Sequence, residues 1–361
     1  MAADPAITEK LIRRKWRKLG LSADFHGFGG DVALAGTRMQ CLKDSYKTSI
    51  WRLKIRAGNT KHTVILKVFK SYSRKKRPGN ITELNMYRKA RPLLKGAMPK
   101  IYSTHRKVNG DDRWVFMEYI RQLEGNIDYT PEQFSRIIPA LAKMHARTYE
   151  DKFNKQLDTF VPWLPRYNSR TMGRNRKELQ KSTLLYLDEA MKRPDLREVL
   201  SPSYKKLRRI LRKGPDYFPE VVEAGQSIIH CDLSARNIGC NNVKDAVWDI
   251  KLLDWESAKY APCWFDVIHL AGIYLGYRQE YAKQEEAIIR KCALHYAKEM
   301  KKHGITFKTD PVKLYKMAYL QLILERFLYH QLSWEIHGRK EGKLLRYFLR
   351  KIEEWGPELG L

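Results

Sequence analysis

Two short stretches of this chain, His230-Cys-Asp-Leu-Ser-Ala-Arg-Asn237 and Leu252-Leu-Asp-Trp-Glu256, carry most of the information about its fold and chemistry. Asp232 precedes Asn237 by five residues, and Asp254 follows Asn237 by 17 residues. A short apolar run precedes each stretch, and such runs are typical of buried strands. The polar residues therefore come where a strand ends and a loop begins, which is where catalytic groups are commonly placed.

An Asp, an Asn and a second Asp are the groups that phosphoryl transfer by kinases requires. The first Asp accepts the proton of the substrate hydroxyl, the Asn holds one Mg²⁺, and the second Asp bridges the metal ions to the phosphates. The two stretches supply a candidate for each of these groups.

Length and composition predict a two-lobed globular protein. The 361 residues include 43% hydrophobic and 11% aromatic residues, which excludes a disordered chain. We expect no signal peptide and no membrane span, because no apolar run approaches the ~20 residues of a spanning helix. The five cysteines are scattered without metal-ligand spacing, which predicts reduced thiols and a cytoplasmic location.

The chain is strongly basic, with a formal net charge of +29. Residues 1–120 hold 27 Lys and Arg against 9 Asp and Glu, so the excess is densest at the N-terminal end. One interpretation is attraction to phosphate, nucleic acid or another anionic surface. The other is a solubility trait without a specific partner, and composition leaves both open.

Residues 1–24 have the pattern of an amphipathic basic helix. Its predicted apolar side consists of Ile7, Leu11, Ile12, Trp16 and Leu19. Such a helix lies on a membrane surface or packs on its own protein. Packing on the first lobe is the more common outcome, and we treat residues 1–24 as an N-terminal extension of that lobe.

The next region predicts a small nucleotide-binding lobe over residues 25–120. Alternating apolar residues indicate strands at 47–56 and 62–69, helical spacing covers 81–95, and a hairpin follows at 100–105 and 114–120.

From Thr130 the pattern turns helical, and we predict a helical lobe over 121–361. Helices are expected at 134–145, 267–281, 285–303, 311–337 and 344–355. The polar segment 151–225 predicts helices with long connections.

Lys67 lies in the strand Val-Ile-Leu-Lys-Val-Phe, and Glu83 lies near the start of the following helix. A strand lysine held by a helix carboxylate contacts the α- and β-phosphates of a nucleotide. Alone, the two are more simply an edge-strand Lys and a surface Glu. The order strand-Lys, helix-Glu, Asp-x4-Asn and later Asp favours the nucleotide site.

No Gly-x-Gly-x-x-Gly loop is present between the first two predicted strands. Gly27-Phe-Gly-Gly30 lies too far upstream and is interpreted as a turn. The better candidate for phosphate contacts is the segment 43–49, through Lys47, Ser45 and Ser49. At the end of the lobe, the backbone of Glu118 and Ile120 is predicted to contact the nucleotide base.

Three further residues are predicted to support the site. His230 is assigned as a structural hydrogen-bonding residue. Arg236 contacts a phosphate or clamps its loop to a carboxylate, and the sequence leaves both open. Asp266, just ahead of an apolar helix, is predicted to cap the helix or anchor a loop.

The motifs His230-x-Asp232-x4-Asn237, Leu-Leu-Asp254-Trp-Glu and Pro262-x2-Phe-Asp266 resemble those of the aminoglycoside phosphotransferase and choline kinase-like superfamily. The resemblance covers roughly residues 25–345. It implies an α+β, bilobal, protein-kinase-like fold with a β-rich N-lobe and a larger helical C-lobe. By the same resemblance Asp232 is the base and Asn237 and Asp254 bind Mg²⁺.

The resemblance further implies that Lys67 and Glu83 hold the phosphates of ATP or GTP, with residues 118–120 as the hinge. It also implies a monomer acting on a hydroxylated small molecule, and an antibiotic is its most direct suggestion. Glu325, Tyr329 and Trp334 are candidate acceptor contacts.

The charge of +29 is unusual for an enzyme that binds a polycation. Two alternatives therefore stay open. One is a kinase for a metabolite or an anionic acceptor, such as a sugar acid or a nucleoside. The other is a non-catalytic scaffold that binds an anionic polymer through segments 74–77 and 205–213.

Overall fold

A computed structural model of the 361-residue chain describes residues 6–21, 25, 27–28, 32–70, 78–108, 112–338 and 342–361. The chain divides into two compact units. The first comprises residues 1–128 and 235–257, and the second comprises residues 129–234 and 258–361. The predicted lobe boundary after residue 120 stays a prediction.

The first unit is built on a five-stranded antiparallel sheet. Its strands are β1 (Val32–Asp44), β2 (Thr48–Ala57), β3 (Thr60–Phe69), β4 (Ile101–Arg106) and β5 (Arg113–Glu118). They lie in the order β1-β2-β3-β5-β4. Because successive side chains of a strand point to opposite faces of the sheet, one face packs into a hydrophobic core and the other face is available for a binding site.

Helix α1 (Glu9–Lys18) packs on one face of this sheet. Trp16 contacts the rings of Phe25 and Phe116 at centroid distances of 5.3 and 5.4 Å. The helix is shorter than predicted, since Thr8 caps its first turn by accepting a hydrogen bond from the Leu11 amide. Residues 1–5 and 22–24 lie outside the described residues. Leu19 is 46% exposed, so its assignment to the apolar side is wrong, whereas the other four residues assigned to that side are buried.

Helix α2 (Pro78–Asn85) follows the sheet strand of Lys67 and continues through a π-helical turn at Met86–Ala90. Leu84, Tyr87 and Leu94 are buried as predicted, but Ile81 is 46% exposed. Two short strands, β7 (Ile238–Gly239) and β8 (Lys251–Leu252), pair within the same unit.

The second unit is mainly helical, with one short antiparallel strand pair, β6 (Gln226–Ile229) and β9 (Lys259–Pro262). Its helices are α3 (Phe134–Arg147), α4 (Glu150–Phe160), α5 (Arg170–Ala190), α6 (Pro194–Leu200), α7 (Tyr204–Lys213), α8 (Pro219–Glu223), α9 (Trp264–Val267), α10 (Ile273–Tyr277), α11 (Glu285–Lys302), α12 (Pro311–Leu322), α13 (Leu328–His337) and α14 (Leu345–Trp355). Pi-helical turns join α9 to α10 and α12 to α13. Among the described helices, none has the length and apolarity needed to cross a bilayer.

Two parts of the prediction differ from the structure. Strand β1 was not predicted, because a register shift between Ala35 and Gln40 interrupts its alternation, with Gly36 at φ 84°. The segment 151–225 has shorter connections than expected, since five helices occupy most of it. The segments Gly29–Gly30, 74–77 and 109–111, which carried sequence interpretations, lie outside the described residues.

Candidate active site

Lys67 and Glu83 form a buried ion pair in the first unit. The Lys67 Nζ donates to Glu83 Oε1 at 2.5 Å and to Asp254 Oδ1 at 3.2 Å. The side chains of Lys67 and Glu83 are 8% and 1% exposed, whereas that of Asp254 is 38% exposed. The predicted strand lysine, helix carboxylate and later Asp are thus brought together, with only the Asp accessible from solvent.

The surroundings keep Lys67 charged. Burial by itself lowers the pKa of Lys67, but the carboxylates of Glu83 and Asp254 raise that pKa above its ordinary value. Tyr87 lies one helical turn beyond Glu83 and donates from its hydroxyl to Glu83 Oε1 at 2.8 Å. The carboxylate of Glu83 is therefore fixed by two donors, and it in turn fixes the ammonium of Lys67.

Asn237 and Asp254 are neighbours through the pairing of β7 with β8. Ile238 lies opposite Leu252, and the Leu253 amide donates to the Asn237 carbonyl at 2.8 Å. Asp254 has φ 62°, in the left-handed region that few non-glycine residues adopt. Strain of this kind is concentrated at functional sites.

The donor set at this position suits Mg²⁺. Mg²⁺ prefers oxygen ligands and is usually held by one or two carboxylates together with substrate phosphates and water. Asp254 provides a carboxylate and Asn237 an amide oxygen. Among the described residues there is no group of three or more His, Cys, Asp and Glu able to form an all-protein metal cage. The two residues therefore fit a metal ion that arrives with a nucleotide.

The turn between β1 and β2 is organised by Ser45. Its hydroxyl accepts from the amides of Lys47 and Thr48 at 3.3 and 3.2 Å and donates to the Thr48 carbonyl. Ser49 is fully buried, and its Oγ accepts from Trp51 Nε1 at 2.7 Å. Its nucleotide-binding role stays a prediction.

The register of β2 and β3 places Ser49 away from Lys67. Ile50 lies opposite Lys67, whereas Ser49 lies opposite Val68, and residues directly opposite share a face of the sheet. Ser49 is thus on the core face. In the turn itself, the Lys47 Nζ lies 3.6 Å from Glu256, the last residue of the Asp-Trp-Glu motif.

A cavity of about 640 Å³ opens on the Lys67 face of the sheet, next to the predicted hinge. Tyr119 lines it together with Arg52, Lys54, Arg38 and Thr63. The guanidinium of Arg52 lies 5.7 Å from the ring centre of Tyr119. The Glu118 amide donates to the Lys100 carbonyl at 2.8 Å, and among the described residues none accepts a hydrogen bond from the Ile120 amide.

Asp266 organises the predicted catalytic stretch of the second unit. It is fully buried, and its carboxylate accepts from the His230 amide at 2.8 Å and the Cys231 amide at 2.7 Å. His145 Nε2 lies 3.2 Å from the same carboxylate, and His145 Nδ1 lies 2.7 Å from the Tyr296 hydroxyl. These are the contacts of a loop anchor. Burial by itself raises the pKa of Asp266, but these donors lower that pKa below its ordinary value.

The anchored loop presents Asp232 to solvent. Cys231 has φ 62° and is buried, and the next residue, Asp232, is exposed. His230 is fully buried. Since the backbone of residues 230 and 231 is held by Asp266, the direction of the Asp232 side chain is set by a fixed loop.

The remaining predicted residues have varied surroundings. Arg236 is 73% exposed and lies 3.6 Å from Glu124, the clamp contact of the two interpretations left open. An exposed pair of this kind contributes about 0–1 kcal/mol. Glu325 is 7% exposed, and its carboxylate accepts from the Tyr167 hydroxyl at 2.6 Å and from Gln321 at 3.0 Å.

Tyr329 stacks on Tyr186 at 5.3 Å between centroids, and Trp334 stacks on His330 at 5.8 Å. The acceptor roles of Glu325, Tyr329 and Trp334 stay predictions.

Several residues of these networks were not selected from the sequence. The sequence did indicate a contact between Tyr87 and Glu83, because the two residues are four apart and so share a helix face. His145 was noted only as part of an apolar face, and its partner Asp266 is 121 residues away. Arg52 and Tyr119 belong to no recognisable motif. Only the pairing of the strands shows that both line the cavity.

Comparisons with known proteins identify the family and the fold of this chain. The sequence model of the phosphotransferase enzyme family matches residues 51–293. No curated protein sequence gives a significant match.

Among solved structures, the chain is similar to a GDP complex of a mutant aminoglycoside 2'-phosphotransferase-IIIa, at 13% identity and a TM-score of 0.51, over 90% of this chain and 95% of that chain. It is also similar to an ethanolamine kinase of Plasmodium vivax, at 13% identity and a TM-score of 0.52, over 98% of this chain and 90% of that chain. These likenesses confirm the predicted fold class. Since the family match extends over more than half of the residues, the chain belongs to the phosphotransferase enzyme family, as a small-molecule phosphotransferase.

Proposed function

We propose that the chain transfers the γ-phosphoryl group of ATP to a hydroxyl group of a small molecule, with Asp232 as the catalytic base. The observation that carries this proposal is the buried Lys67–Glu83 pair beside Asp254. A charged, immobilised ammonium next to an accessible carboxylate suits the grip on nucleotide phosphates that family membership requires.

The transfer step is proposed as follows. The acceptor oxygen forms a bond to the γ-phosphorus, the bond to the β–γ bridging oxygen breaks, and its electron pair leaves with ADP. Asp232 takes the proton of the hydroxyl. Lys67 holds phosphate oxygens, and Asn237 and Asp254 would hold Mg²⁺. When bound, Mg²⁺ would neutralise charge that develops on the phosphates.

The nucleotide base is proposed to bind at the hinge, Glu118 to Ile120. The available Ile120 amide and the adjoining cavity support this placement. GTP is a second candidate beside ATP, because one similar structure is a GDP complex.

Two acceptor classes follow from different observations. Family resemblance alone suggests an antibiotic such as an aminoglycoside. The net charge of +29 favours an anionic acceptor, because a positive field repels a polycation. The non-catalytic scaffold is disfavoured, since the ion pair and the anchored loop are both intact.

The test is ADP release with Mg²⁺ over a panel of aminoglycosides, macrolides, nucleosides, choline and sugars. With a turned-over acceptor, Asp232→Ala and Asp254→Ala are each expected to lower kcat at least about 10²-fold with the fold retained. Asp158→Ala is the matched control, because that carboxylate is 83% exposed.

Wild-type turnover in Asp232→Ala or Asp254→Ala would refute the assignment. Strong, salt-dependent retention on heparin beyond what charge alone gives, without nucleotide binding, would instead favour the scaffold.

A further inference from the structure

The cavity beside the predicted hinge has a cationic wall, formed by Arg38, Arg52 and Lys54. All three side chains line this cavity of about 640 Å³ in the first unit. Arg38 and Lys54 are exposed to solvent, whereas Arg52 is half-buried. Among the described residues that line the cavity there is no Asp or Glu, and none of the three cations forms an ion pair with a described residue. The wall therefore carries positive charge that its own residues do not neutralise.

Two carboxylates adjoin the cationic wall, and both are bound elsewhere. Glu9 of α1 accepts from a backbone amide of β1 at 3.1 Å, but its other oxygen is paired with Arg13 at 2.7 Å. The charge of Glu9 is thus offset by that of Arg13. Glu118 lies opposite Val64, on the face of the sheet that packs against α1, and it accepts from the Lys100 amide at 3.0 Å. Neither carboxylate balances the three cations, so the wall favours an anionic ligand.

Strand pairing places the cationic wall on the same face of the sheet as Lys67. Arg52 and Lys54 lie two and four residues beyond Ile50, the residue opposite Lys67. Since alternate residues of a strand share a face, both side chains lie on the Lys67 face. At a rise of about 3.3 Å per residue, they are displaced from Lys67 by about 7 and 13 Å along the strands. The wall and the ammonium of Lys67 are therefore separate positively charged positions on one surface.

Arg52 connects the cationic wall to the predicted hinge. Its guanidinium lies 5.7 Å from the ring centre of Tyr119 and donates to the side-chain oxygen of Gln40, the residue opposite it on β1. The Tyr119 carbonyl accepts from the Asn241 side chain at 3.0 Å, which holds the hinge backbone. A guanidinium has five N–H donors, so the bond to Gln40 leaves donors for an anion in the cavity.

We infer that the first unit binds a nucleotide that carries a phosphate group on its ribose, at the 2′- or 3′-hydroxyl, in addition to its 5′-phosphates. This inference rests on the proposed function, since it uses the same nucleotide site. With the base at the hinge and the 5′-phosphates at Lys67, the ribose lies between them, beside the cationic wall. Arg38, Arg52 and Lys54 bind the additional phosphate through charge-assisted hydrogen bonds. A 5′-diphosphate of this kind has no γ-phosphoryl group to transfer, so it inhibits the proposed reaction by occupying the donor site.

The test compares nucleotides that differ by one phosphate group. The parent nucleotide is ADP or GDP, whichever the full-length protein binds more tightly in the presence of Mg²⁺. Calorimetric titrations then compare this parent with its 3′-phosphate and 2′-phosphate derivatives. We expect at least one derivative to bind on the order of tenfold more tightly than the parent, and the tighter one identifies the ribose position. The gain should become smaller as salt is added, because exposed charges are screened.

Variants of the cationic wall locate the additional phosphate. The measured quantity is the ratio of the affinities for derivative and parent, so an effect common to both nucleotides cancels. Arg52→Gln and Lys54→Gln should each lower this ratio by about threefold, and the triple variant with Arg38→Gln should abolish the gain. Lys54→Arg should keep it. Arg17→Gln is the matched control with an unchanged ratio, because Arg17 is an exposed cation of α1, which packs on the opposite face of the sheet.

Two results would overturn the inference and leave the proposed function standing. One is equal affinity for the parent nucleotide and both derivatives. The other is a gain in affinity that is unchanged in the triple variant, with circular dichroism showing that this variant is folded. Failure to bind ADP, GDP and all of their derivatives would instead refute the nucleotide site of the proposed function, and the inference with it.

Discussion

Removing either charge of the Lys67–Glu83 pair is expected to lower the free energy of unfolding. A double variant shows how much of that loss comes from leaving the other charge unpaired. At an effective dielectric constant of about 20, two unit charges 2.5 Å apart attract by about 6–7 kcal/mol. Desolvation of both groups offsets part of this attraction, so removing one partner leaves a net loss of about 3–5 kcal/mol. Asp254 compensates Lys67 only weakly in Glu83→Gln, because its carboxylate is 38% exposed and screened by solvent.

We therefore expect Glu83→Gln and Lys67→Met each to lower the free energy of unfolding by about 3–5 kcal/mol. The double variant should lose at least about 2 kcal/mol less than the sum of the two single losses, because neither charge is then left unpaired. Activity should stay low in all three variants, since each lacks either the ammonium of Lys67 or the carboxylate that fixes it. Urea unfolding gives the stabilities, and coupled ADP release gives the turnover.

The control cycle uses an exposed pair of similar geometry. Lys181 and Glu178 are 2.9 Å apart, with side chains 69% and 63% exposed. Lys181→Met and Glu178→Gln should couple by less than about 0.5 kcal/mol. Two results would refute this reasoning. Additive losses of unfolding free energy would show that the buried charges of Lys67 and Glu83 do not depend on each other, and recovered turnover in the double variant would show that the pair is not needed to hold phosphates.

Two further predictions concern stability. Asp266→Asn should cost about 3 kcal/mol at pH 7, because a buried carboxylate that accepts two backbone amides is lost. The pKa of Asp266 is lowered by folding, so its contribution is present above the unfolded value of about 3.9 and is lost as pH falls through the lower folded value. The difference in melting temperature between wild type and Asp266→Asn should therefore become smaller in acid. A difference that is independent of pH would contradict this prediction. Trp16→Ala should cost about 3–5 kcal/mol, since its ring is 5% exposed against Phe25 and Phe116. Leu19→Ala on the same helix, where the side chain is 46% exposed, should stay within about 0.5 kcal/mol of wild type in the same urea titration.

The order of motifs made the Lys67–Glu83–Asp254 contact predictable. Each residue was recognised in its own element, and the fold class then required the elements to meet. Strand β1 was missed because its alternation breaks between Ala35 and Gln40, where the pairing register shifts. A period of two is the main signal of a strand, and a bulge removes that signal.

Residues recruited over long sequence distances were harder to predict. His145 is 121 residues from Asp266, and neither residue type by itself indicates the other as a partner. The position of Lys259 was equally hard to predict, because it lies opposite Ile229, beside the predicted catalytic stretch, only through the pairing of β9 with β6. A sequence shows the type of each side chain and its own strand or helix, but strand pairing decides which chemistry-bearing residues become neighbours.

Both units hold a strained backbone residue at a predicted catalytic motif, and each unit compensates the strain with its own contacts. Cys231 and Asp254 both have φ 62°, a conformation that costs about 1–2 kcal/mol for a residue with a Cβ atom. In the second unit, Asp266 offsets this cost through its bonds to the amides of residues 230 and 231. In the first unit, the ammonium of Lys67 holds the side chain of Asp254. In both motifs, contacts within the protein itself thus hold the strained backbone residue in place.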